Sequence, residues 1–152
     1  KEAGKVRLIG VSNFNTQLMT EAVIGCKADL ACNQVEYHPF LSQKKVLDLA
    51  EKYGMVLTAY MPLAKGRVVQ HAVINEIAHN YGKTPAQVAL RWLIQQGPIA
   101  VIPKAFNEKH CRENFEIFDF VLSEEAMASI TSLTFINQRI GDYPLGPVWD
   151  DV

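Results

Sequence analysis

The sequence lacks an excess of charge of either sign, and it has no apolar run long enough to cross a bilayer. Lys+Arg 15 and Asp+Glu 16 give a net charge of -1 over 152 residues. This balance offers no electrostatic basis for binding nucleic acid or an anionic membrane, and a transmembrane helix would need about 20 apolar residues in succession. With 49% hydrophobic and 20% charged residues, the composition predicts a soluble globular domain with neither kind of partner.

Cysteine is scarce, and three cysteines cannot all pair within the chain. The three cysteines are Cys26, Cys32 and Cys111, and no pair has C-x-x-C spacing. The first residues, 1–5, contain no apolar core or cleavage site of a signal peptide. Both observations predict reduced thiols in a cytoplasmic protein.

Several motifs of cofactor and metal chemistry are also missing. No G-x-G-x-x-G is present, so a Rossmann phosphate turn is not expected. The run 82–84 reads Gly-Lys-Thr like the end of a P-loop, but Ile77 stands where that motif needs its first glycine. We interpret the run as a turn between two helices. His71 and His79 lie eight residues apart, which is not a zinc-ligand spacing, and no metal site is expected.

What the chain does contain is an alternation of short apolar runs and helical patterns. Thr84 followed by Pro85 is a helix start, and Ser42 is a plausible N-cap. The final segment, 134–152, has little periodicity and is predicted to pack over other elements. Strands are predicted at 6–11, 30–35, 55–60 and 99–102, and helices at 16–26, 42–53, 69–81, 86–96, 108–114 and 123–133.

This alternation predicts an α/β fold with a parallel sheet built from βαβ units. The strands carry apolar residues on both faces, as buried parallel strands do. Two architectures fit four such units. One is a small open α/β sheet, and the other is half of an eight-stranded TIM (β/α)8 barrel, whose full form needs about 250 residues.

Polar side chains follow the predicted strands. Ser12 and Asn13 follow the first strand, Gln34 lies at the end of the second, Tyr60 ends the third, and Lys104 follows the fourth. Ligands of parallel α/β proteins bind at the carboxyl ends of strands, so these residues could line one elongated ligand. Helix capping, packing and solvation explain the same residues equally well from pattern alone.

The motifs at these positions resemble those of the aldo-keto reductases, in the same order and spacing and over essentially the whole chain. The resemblance implies a (β/α)8 barrel, a nicotinamide cofactor bound without a Rossmann domain, and reduction of aldehydes and ketones as small-molecule carbonyl substrates. Residues 1–152 would form the C-terminal half of the barrel, and the N-terminal half would be absent. The motifs are I-G-V-S-N-F at 9–14, N-Q-V-E-Y-H-P at 33–39, Y-M-P-L at 60–63, I-P-K at 102–104, E-N-F at 113–115 and P-V-W-D at 147–150.

The resemblance implies roles on the nicotinamide side of the cofactor. Ser12, Asn13 and Gln34 would hydrogen-bond the carboxamide, which offers both a donor and an acceptor. Tyr60 would stack on the ring. The turn of Pro62 and Leu63 would cover the pyrophosphate.

It also implies roles on the adenosine side. Lys104 would pair with a phosphate there, and Glu113 and Asn114 would bind the adenine amino edge. Asn107 would contact the ribose or phosphate. Trp149 would line the substrate pocket.

Two positions depart from the family pattern and leave the cofactor open between NADP(H) and NAD(H). Ala105 replaces the usual serine, and His110 replaces the usual arginine; both usual residues serve the 2′-phosphate. A histidine with a pKa near ~6.5 is mostly neutral at pH 7, whereas a guanidinium is always charged. Either preference for NADP(H) is weakened, or Lys104 alone still selects it.

The family's catalytic Asp, Tyr, Lys and His lie on its first four strands, so the resemblance implies no catalytic residue in this chain. Tyr37 is not the catalytic tyrosine, and His38 is assigned a structural or pocket-edge role. We expect the chain alone to be inactive and to require the missing half or self-association. The alternatives are a non-catalytic nucleotide-binding half-barrel and an interaction subunit of the channel-associated type.

Overall fold

A parallel sheet of four strands organises the chain in a computed structural model that describes residues 3–26, 29–142, 144 and 146–150. The strand order follows the sequence, β1-β2-β3-β4, and every neighbouring pair is parallel. The first strand is shorter than the predicted run 6–11, since pairing begins only at Ile9. The strands are β1 (Ile9–Ser12), β2 (Leu30–Glu36), β3 (Val56–Tyr60) and β4 (Ile99–Val101).

Helices follow the strands, and local capping explains where several of them begin. Thr84 accepts a hydrogen bond from the Gln87 amide while the Gln87 side chain accepts one from the Thr84 amide, which is a capping box with Pro85 in the first turn. This predicted start is confirmed. The helices are α1 (Thr16–Gly25), α2 (Lys44–Lys52), α3 (Ala72–Tyr81), α4 (Pro85–Ile94), α5 (Glu108–Phe115) and α6 (Glu124–Ser132).

Two predicted helix starts are wrong. Ser42 is not the N-cap of α2, because Gln43 takes that position and makes no side-chain capping bond. The predicted helix 69–81 begins instead at Ala72. The preceding residues, Val68–Gln70, form a separate 3-10 turn, and His71 is extended between the two. Apolar periodicity runs through this break, which is why it does not show in the sequence.

The two faces of the sheet differ in burial. In β3, Leu57 and Ala59 have no exposed surface, whereas Val56 on the opposite face is 39% exposed. Ala100 in β4 is likewise exposed. The expectation of two buried faces is therefore wrong for the described part of the chain. Helices on one face and a sequential strand order are typical of an arc of a (β/α)8 barrel, because doubly wound sheets carry helices on both faces.

The described cysteines are free: Cys26 and Cys111 are exposed, and Cys32 is half-buried. Their cytoplasmic setting stays a prediction. Within the described ranges, no cluster of three or more His, Cys, Asp or Glu side chains is placed to hold a metal ion. Each helix in those ranges is also too short or too polar to cross a membrane.

Candidate functional site

The turn after β1 is tied directly to the end of β2. The Ser12 hydroxyl donates to the Gln34 carbonyl oxygen at 3.0 Å, and the Asn13 amide donates to the same oxygen at 2.8 Å. Asn13 has a φ of 57°, a left-handed conformation that asparagine tolerates better than most residues. Three of the predicted residues are thus brought together at the carboxyl ends of two adjacent strands.

Asn33 holds this turn from behind, and the sequence reasoning missed its role. Its side chain is fully buried. The amide nitrogen donates to the Phe14 carbonyl oxygen at 2.9 Å, and the amide oxygen accepts from the Phe14 N–H at 3.4 Å. The period-2 pattern of β2 contained a signal, since it places Asn33 and Val35 together on the covered face.

One atom of the turn fits a ligand. The Asn13 side-chain oxygen is buried and has no hydrogen-bond partner among the described residues. A buried acceptor without a donor is unfavourable by about 1–3 kcal/mol. The amino group of a nicotinamide carboxamide is a donor of the required kind, so the residues present are compatible with that group.

Tyr60 ends β3 opposite Glu36 of β2 and leads into a loop with a strained backbone. Met61, Ala64 and Lys65 have φ values of 51°, 49° and 52°. Non-glycine residues in this region cost about 1–3 kcal/mol each and persist where the surroundings fix them. The Ala64 amide donates to the Met61 carbonyl oxygen at 2.8 Å. The strained turns surround Pro62 and Leu63, the predicted cover of the pyrophosphate.

Four chain segments converge on a cavity of about 860 Å³ beside this loop. The segments are the loop after β3, the start of α4, the residues after β4, and one side of α5. Lys104 lies at the cavity with its ammonium 4.3 Å from the centre of the Phe106 ring. The predicted residues that line the cavity are Pro62, Leu63, Lys104, His110, Glu113 and Asn114.

The predicted nicotinamide-side residues Ser12, Asn13, Gln34 and Tyr60 do not line this cavity, and neither do two of the predicted adenosine-side residues. Ala105 lines a different cavity of about 910 Å³, toward Phe118. Asn107 is the N-cap of α5, and its side-chain oxygen accepts from the His110 amide at 2.8 Å. The Asn107 side chain, predicted to contact the ribose or phosphate, is therefore engaged in capping α5.

Two cations at the cavity were missed. Lys65 and Lys109 both line it together with Lys104. Lys109 lies 3.7 Å from the Glu113 carboxylate and is 81% exposed, so this ion pair is weak and the ammonium stays available. The sequence offered one indication for Lys109, because it directly precedes the predicted site residue His110. No local signal identifies Lys65, because only the fold brings it to this cavity.

Behind the site, Glu36 and His38 form a buried pair. Both side chains are fully buried, and the His38 Nε2 lies 2.9 Å from the Glu36 carboxylate. The Phe40 amide donates to His38 Nδ1 at 3.2 Å, which assigns the His38 proton to Nε2. His38 therefore holds the Glu36 carboxylate, and its structural or pocket-edge role stays a prediction.

Glu36 also accepts hydrogen bonds from the C-terminal tail, residues 137–150. The Ile140 and Gly141 amides each donate to its carboxylate at 2.6 Å. Burial alone would raise the pKa of this carboxyl, but the hydrogen bonds from His38 and the two amides outweigh burial and hold the pKa below its usual value.

Tyr37 is unsuited to donate a proton to a substrate. Its ring is 2% exposed, and its hydroxyl donates to the Gln96 side chain at 2.6 Å. Burial raises the pKa of this phenol well above its ordinary value. The expectation that Tyr37 is not a catalytic acid is consistent with this environment.

Trp149 lies in the tail against Arg139, whose guanidinium is 3.6 Å from the centre of the ring. The indole N–H donates to Asp142 at 3.3 Å. Both Trp149 and Arg139 line a cavity of about 340 Å³ near Phe14 and Asn15. The tail thus packs over the ends of β1 and β2, as its lack of periodicity predicted.

A four-stranded parallel sheet in sequential order with helices on one face, and with polar residues and a cavity at the strand ends, is the arrangement found in part of a (β/α) barrel. The model of the aldo/keto reductase family matches residues 1–134. The chain therefore belongs to the aldo-keto reductase family.

Curated relatives include an aldo-keto reductase of Mycolicibacterium smegmatis, 42% identical over 95% of this chain and 52% of the relative. The glyoxal reductase of Bacillus subtilis is 40% identical over 93% of this chain and 50% of the relative. This chain thus spans about half the length of these curated relatives.

Solved structures of aldo-keto reductases and related proteins share the fold of this chain. A protein provisionally named 2,5-diketo-D-gluconic acid reductase B superposes with a TM-score of 0.94 and 50% identity, over 99% of this chain and 54% of that one. The NADPH complex of a Gox0644 variant gives a TM-score of 0.82 and 37% identity, over 88% of this chain and 49% of that one.

Proposed function

We propose that this chain is the cofactor-binding, C-terminal half of an NAD(P)H-dependent carbonyl reductase. The observation that carries the proposal is the cavity of about 860 Å³. It gathers six residues, from separate segments, to which the family resemblance assigns contacts with one dinucleotide. Membership of the family and the NADPH bound to a structural neighbour support the same cofactor class.

The chain's own residues would bind and orient this cofactor. The buried oxygen of Asn13, with Ser12 and Gln34, would fix the carboxamide and so determine which ring face meets the substrate. Tyr60 would stack on the ring. When bound, NAD(P)H supplies the hydride that reduces the carbonyl carbon.

The proton would come from outside this chain. Tyr37 is buried and hydrogen-bonded to Gln96, and His38 is held by Glu36. Neither can reach a substrate carbonyl oxygen, as a general acid must. We propose that the Asp, Tyr, Lys and His tetrad lies on an N-terminal half, and that this chain is inactive without it.

The exposed sheet face supports the need for a second half. Val56 of β3 is 39% exposed and Ala100 of β4 is exposed, although both are apolar. An N-terminal half that completes the barrel would bury this face and the two edge strands. We call this chain together with such a half the closed protein. Self-association of two copies is the other way to cover the face.

For the cofactor preference, we propose NADPH over NADH. His110 and Ala105 weaken the usual contacts to the 2′-phosphate. Lys65, Lys104 and Lys109 nevertheless place three ammonium groups at the cavity. The negatively charged 2′-phosphate of NADPH is attracted by these ammonium groups more strongly than the neutral ribose hydroxyl of NADH.

The test is NADPH oxidation by the closed protein, prepared by co-expressing this chain with the N-terminal half of a relative such as the glyoxal reductase. Glyoxal and other small aldehydes serve as substrates. We expect turnover from the closed protein and none from the chain alone. A folded closed protein that binds NADPH without turnover would overturn the proposal and favour a non-catalytic nucleotide-binding protein or an interaction subunit.

A matched pair of variants tests the assigned contacts. Gln34→Ala removes a predicted carboxamide partner, and Gln17→Ala removes an exposed amide on α1 that donates to Glu21. We expect Gln34→Ala to weaken NADPH binding about tenfold, the effect of one lost hydrogen bond to a ligand, and Gln17→Ala to leave it unchanged. If the two variants change NADPH binding equally, Gln34 is not part of the cofactor site.

A further inference from the structure

The Glu36 carboxylate is the most strongly engaged buried charge among the described residues. It accepts three hydrogen bonds, from His38 at 2.9 Å and from the Ile140 and Gly141 amides at 2.6 Å. The two amides lie more than 100 residues further along the chain. A charged acceptor strengthens each of these bonds, and a fully buried one must keep its partners to remain charged.

This contact is one of several anchors along the tail. Two residues before it, the Gln138 backbone N–H donates to the Phe40 carbonyl oxygen at 2.7 Å. Near the other end, the Asn15 side chain donates to the Val148 carbonyl oxygen at 2.7 Å. Asp150 accepts from both the amide and the hydroxyl of Thr16, at 2.9 Å and 2.6 Å.

Arg139 connects the Glu36 anchor to the Trp149 indole. It directly precedes Ile140, and its guanidinium stacks on Trp149. Burial lowers the pKa of Arg139, and the nearby Glu36, Tyr60 and Asp142 counteract this effect. Glu36 therefore holds the backbone on one side of Arg139 and also supplies a negative charge close to its guanidinium.

We infer that Glu36 is a positioning residue that fixes Trp149 at the substrate pocket by anchoring Ile140 and Gly141 at the end of β2. The inference rests on the proposed function in one respect, which is that Trp149 lines the substrate pocket. Glu36 does not touch substrate: it has no exposed surface, and its oxygens are occupied by the three donors.

The test variant is Glu36→Gln, which keeps the shape of the side chain but replaces one acceptor oxygen with a donor. That donor faces a backbone N–H of the tail, so at least one of the two amide contacts is lost. The matched control is Tyr37→Phe, which removes a buried hydrogen bond to Gln96 from the adjacent residue and leaves the tail anchors intact. Both variants lose a buried hydrogen bond, but only Glu36→Gln loses one to the tail.

The first readout is fluorine NMR of the chain labelled with 5-fluorotryptophan, in which Trp149→Phe identifies the Trp149 resonance. We expect Glu36→Gln to shift this resonance and to increase its solvent-isotope effect, while the resonance of buried Trp92 stays in place. Tyr37→Phe should leave the Trp149 resonance unchanged. An unchanged Trp149 resonance in folded Glu36→Gln would overturn the inference.

The second readout is kinetic and uses the closed protein. Glu36→Gln should raise KM for the aldehyde about tenfold and change kcat much less, since the pocket wall contributes to substrate binding. A loss of kcat at unchanged KM would overturn the positioning role. If the unmodified closed protein shows no turnover, the proposed function fails, while the fluorine experiment still decides whether Glu36 anchors Trp149.

If Glu36→Gln does not fold, amide hydrogen exchange of the unmodified protein takes its place. We expect the Ile140 and Gly141 amides to exchange as slowly as those of the central strand β2, because both donate to a buried carboxylate. Exchange of both amides at the rate of unstructured chain would overturn the inference.

Discussion

Asn33→Ala is the substitution whose effect follows most directly from the structure. The side chain is fully buried, and it pairs with both polar backbone groups of Phe14. The alanine leaves one N–H and one carbonyl oxygen without this partner, at about 1–3 kcal/mol for each group. Because the contact at 3.4 Å is the weaker one, we expect a loss of about 2–4 kcal/mol in the free energy of unfolding.

The same substitution should also affect the cofactor. Phe14 follows Asn13, and loosening the Phe14 backbone releases the left-handed turn that directs the Asn13 side chain. We expect NADPH to bind the closed protein of Asn33→Ala at least about tenfold more weakly, a change of about 1.4 kcal/mol.

Urea unfolding followed by circular dichroism measures the stability, and fluorescence titration measures the binding. Asn75→Ala is the control, since Asn75 is an exposed asparagine whose amide also bonds backbone carbonyls, those of Val69 and His71. We expect it to cost less than about 1 kcal/mol and to leave NADPH binding unchanged. Equal stability losses in the two variants would refute the reasoning that burial sets the cost.

Three further predictions concern single interactions. Lys104→Met should weaken the binding of NADPH to the closed protein more than that of NADH, by titration, since only NADPH carries the 2′-phosphate; equal weakening would remove Lys104 from that phosphate. Folding lowers the pKa of Glu36 below its unfolded value of about 4.5. The charged carboxylate therefore stabilises the fold above pH 4.5, and this stabilisation is lost as the pH falls through the folded pKa. Urea unfolding from pH 7 to pH 3 should therefore show a decline below about pH 4.5 that is smaller in Glu36→Gln, and parallel declines would contradict this. Thr84→Ala, which removes the acceptor for the Gln87 amide, should cost about 1 kcal/mol in thermal unfolding, and no change would show that the capping box contributes nothing.

The helices and strands were largely predictable because their signals are local. The Thr84 cap and the glycine that ends α3 depend only on neighbouring residues, and Gly82 has the left-handed φ of 62° that such an ending requires. The break before α3 was not predictable, since the apolar pattern of a 3-10 turn is the same as that of a first helical turn.

The candidate site was predictable in part, and through resemblance more than through pattern. The motifs led to Ser12, Asn13 and Gln34, which meet at one carbonyl oxygen. Lys65 was missed because its place at the cavity depends on the left-handed loop after β3. Asn107 was assigned to the cofactor because an asparagine side chain can hydrogen-bond a ligand as well as cap a helix, and the sequence does not separate the two roles.

Local signals in the sequence were sufficient for the alternation of strands and helices, for the parallel sheet and for the strand ends at which polar residues collect. These depend on periodicity and on capping, which act over a few residues. Tertiary structure alone decided which sheet face is covered, and it decided that Asn33 and Glu36 are buried. It also brought Ile140 and Gly141 to a carboxylate more than 100 residues away. The reason is that burial and the partners of a charge depend on contacts between distant segments, which no local pattern contains.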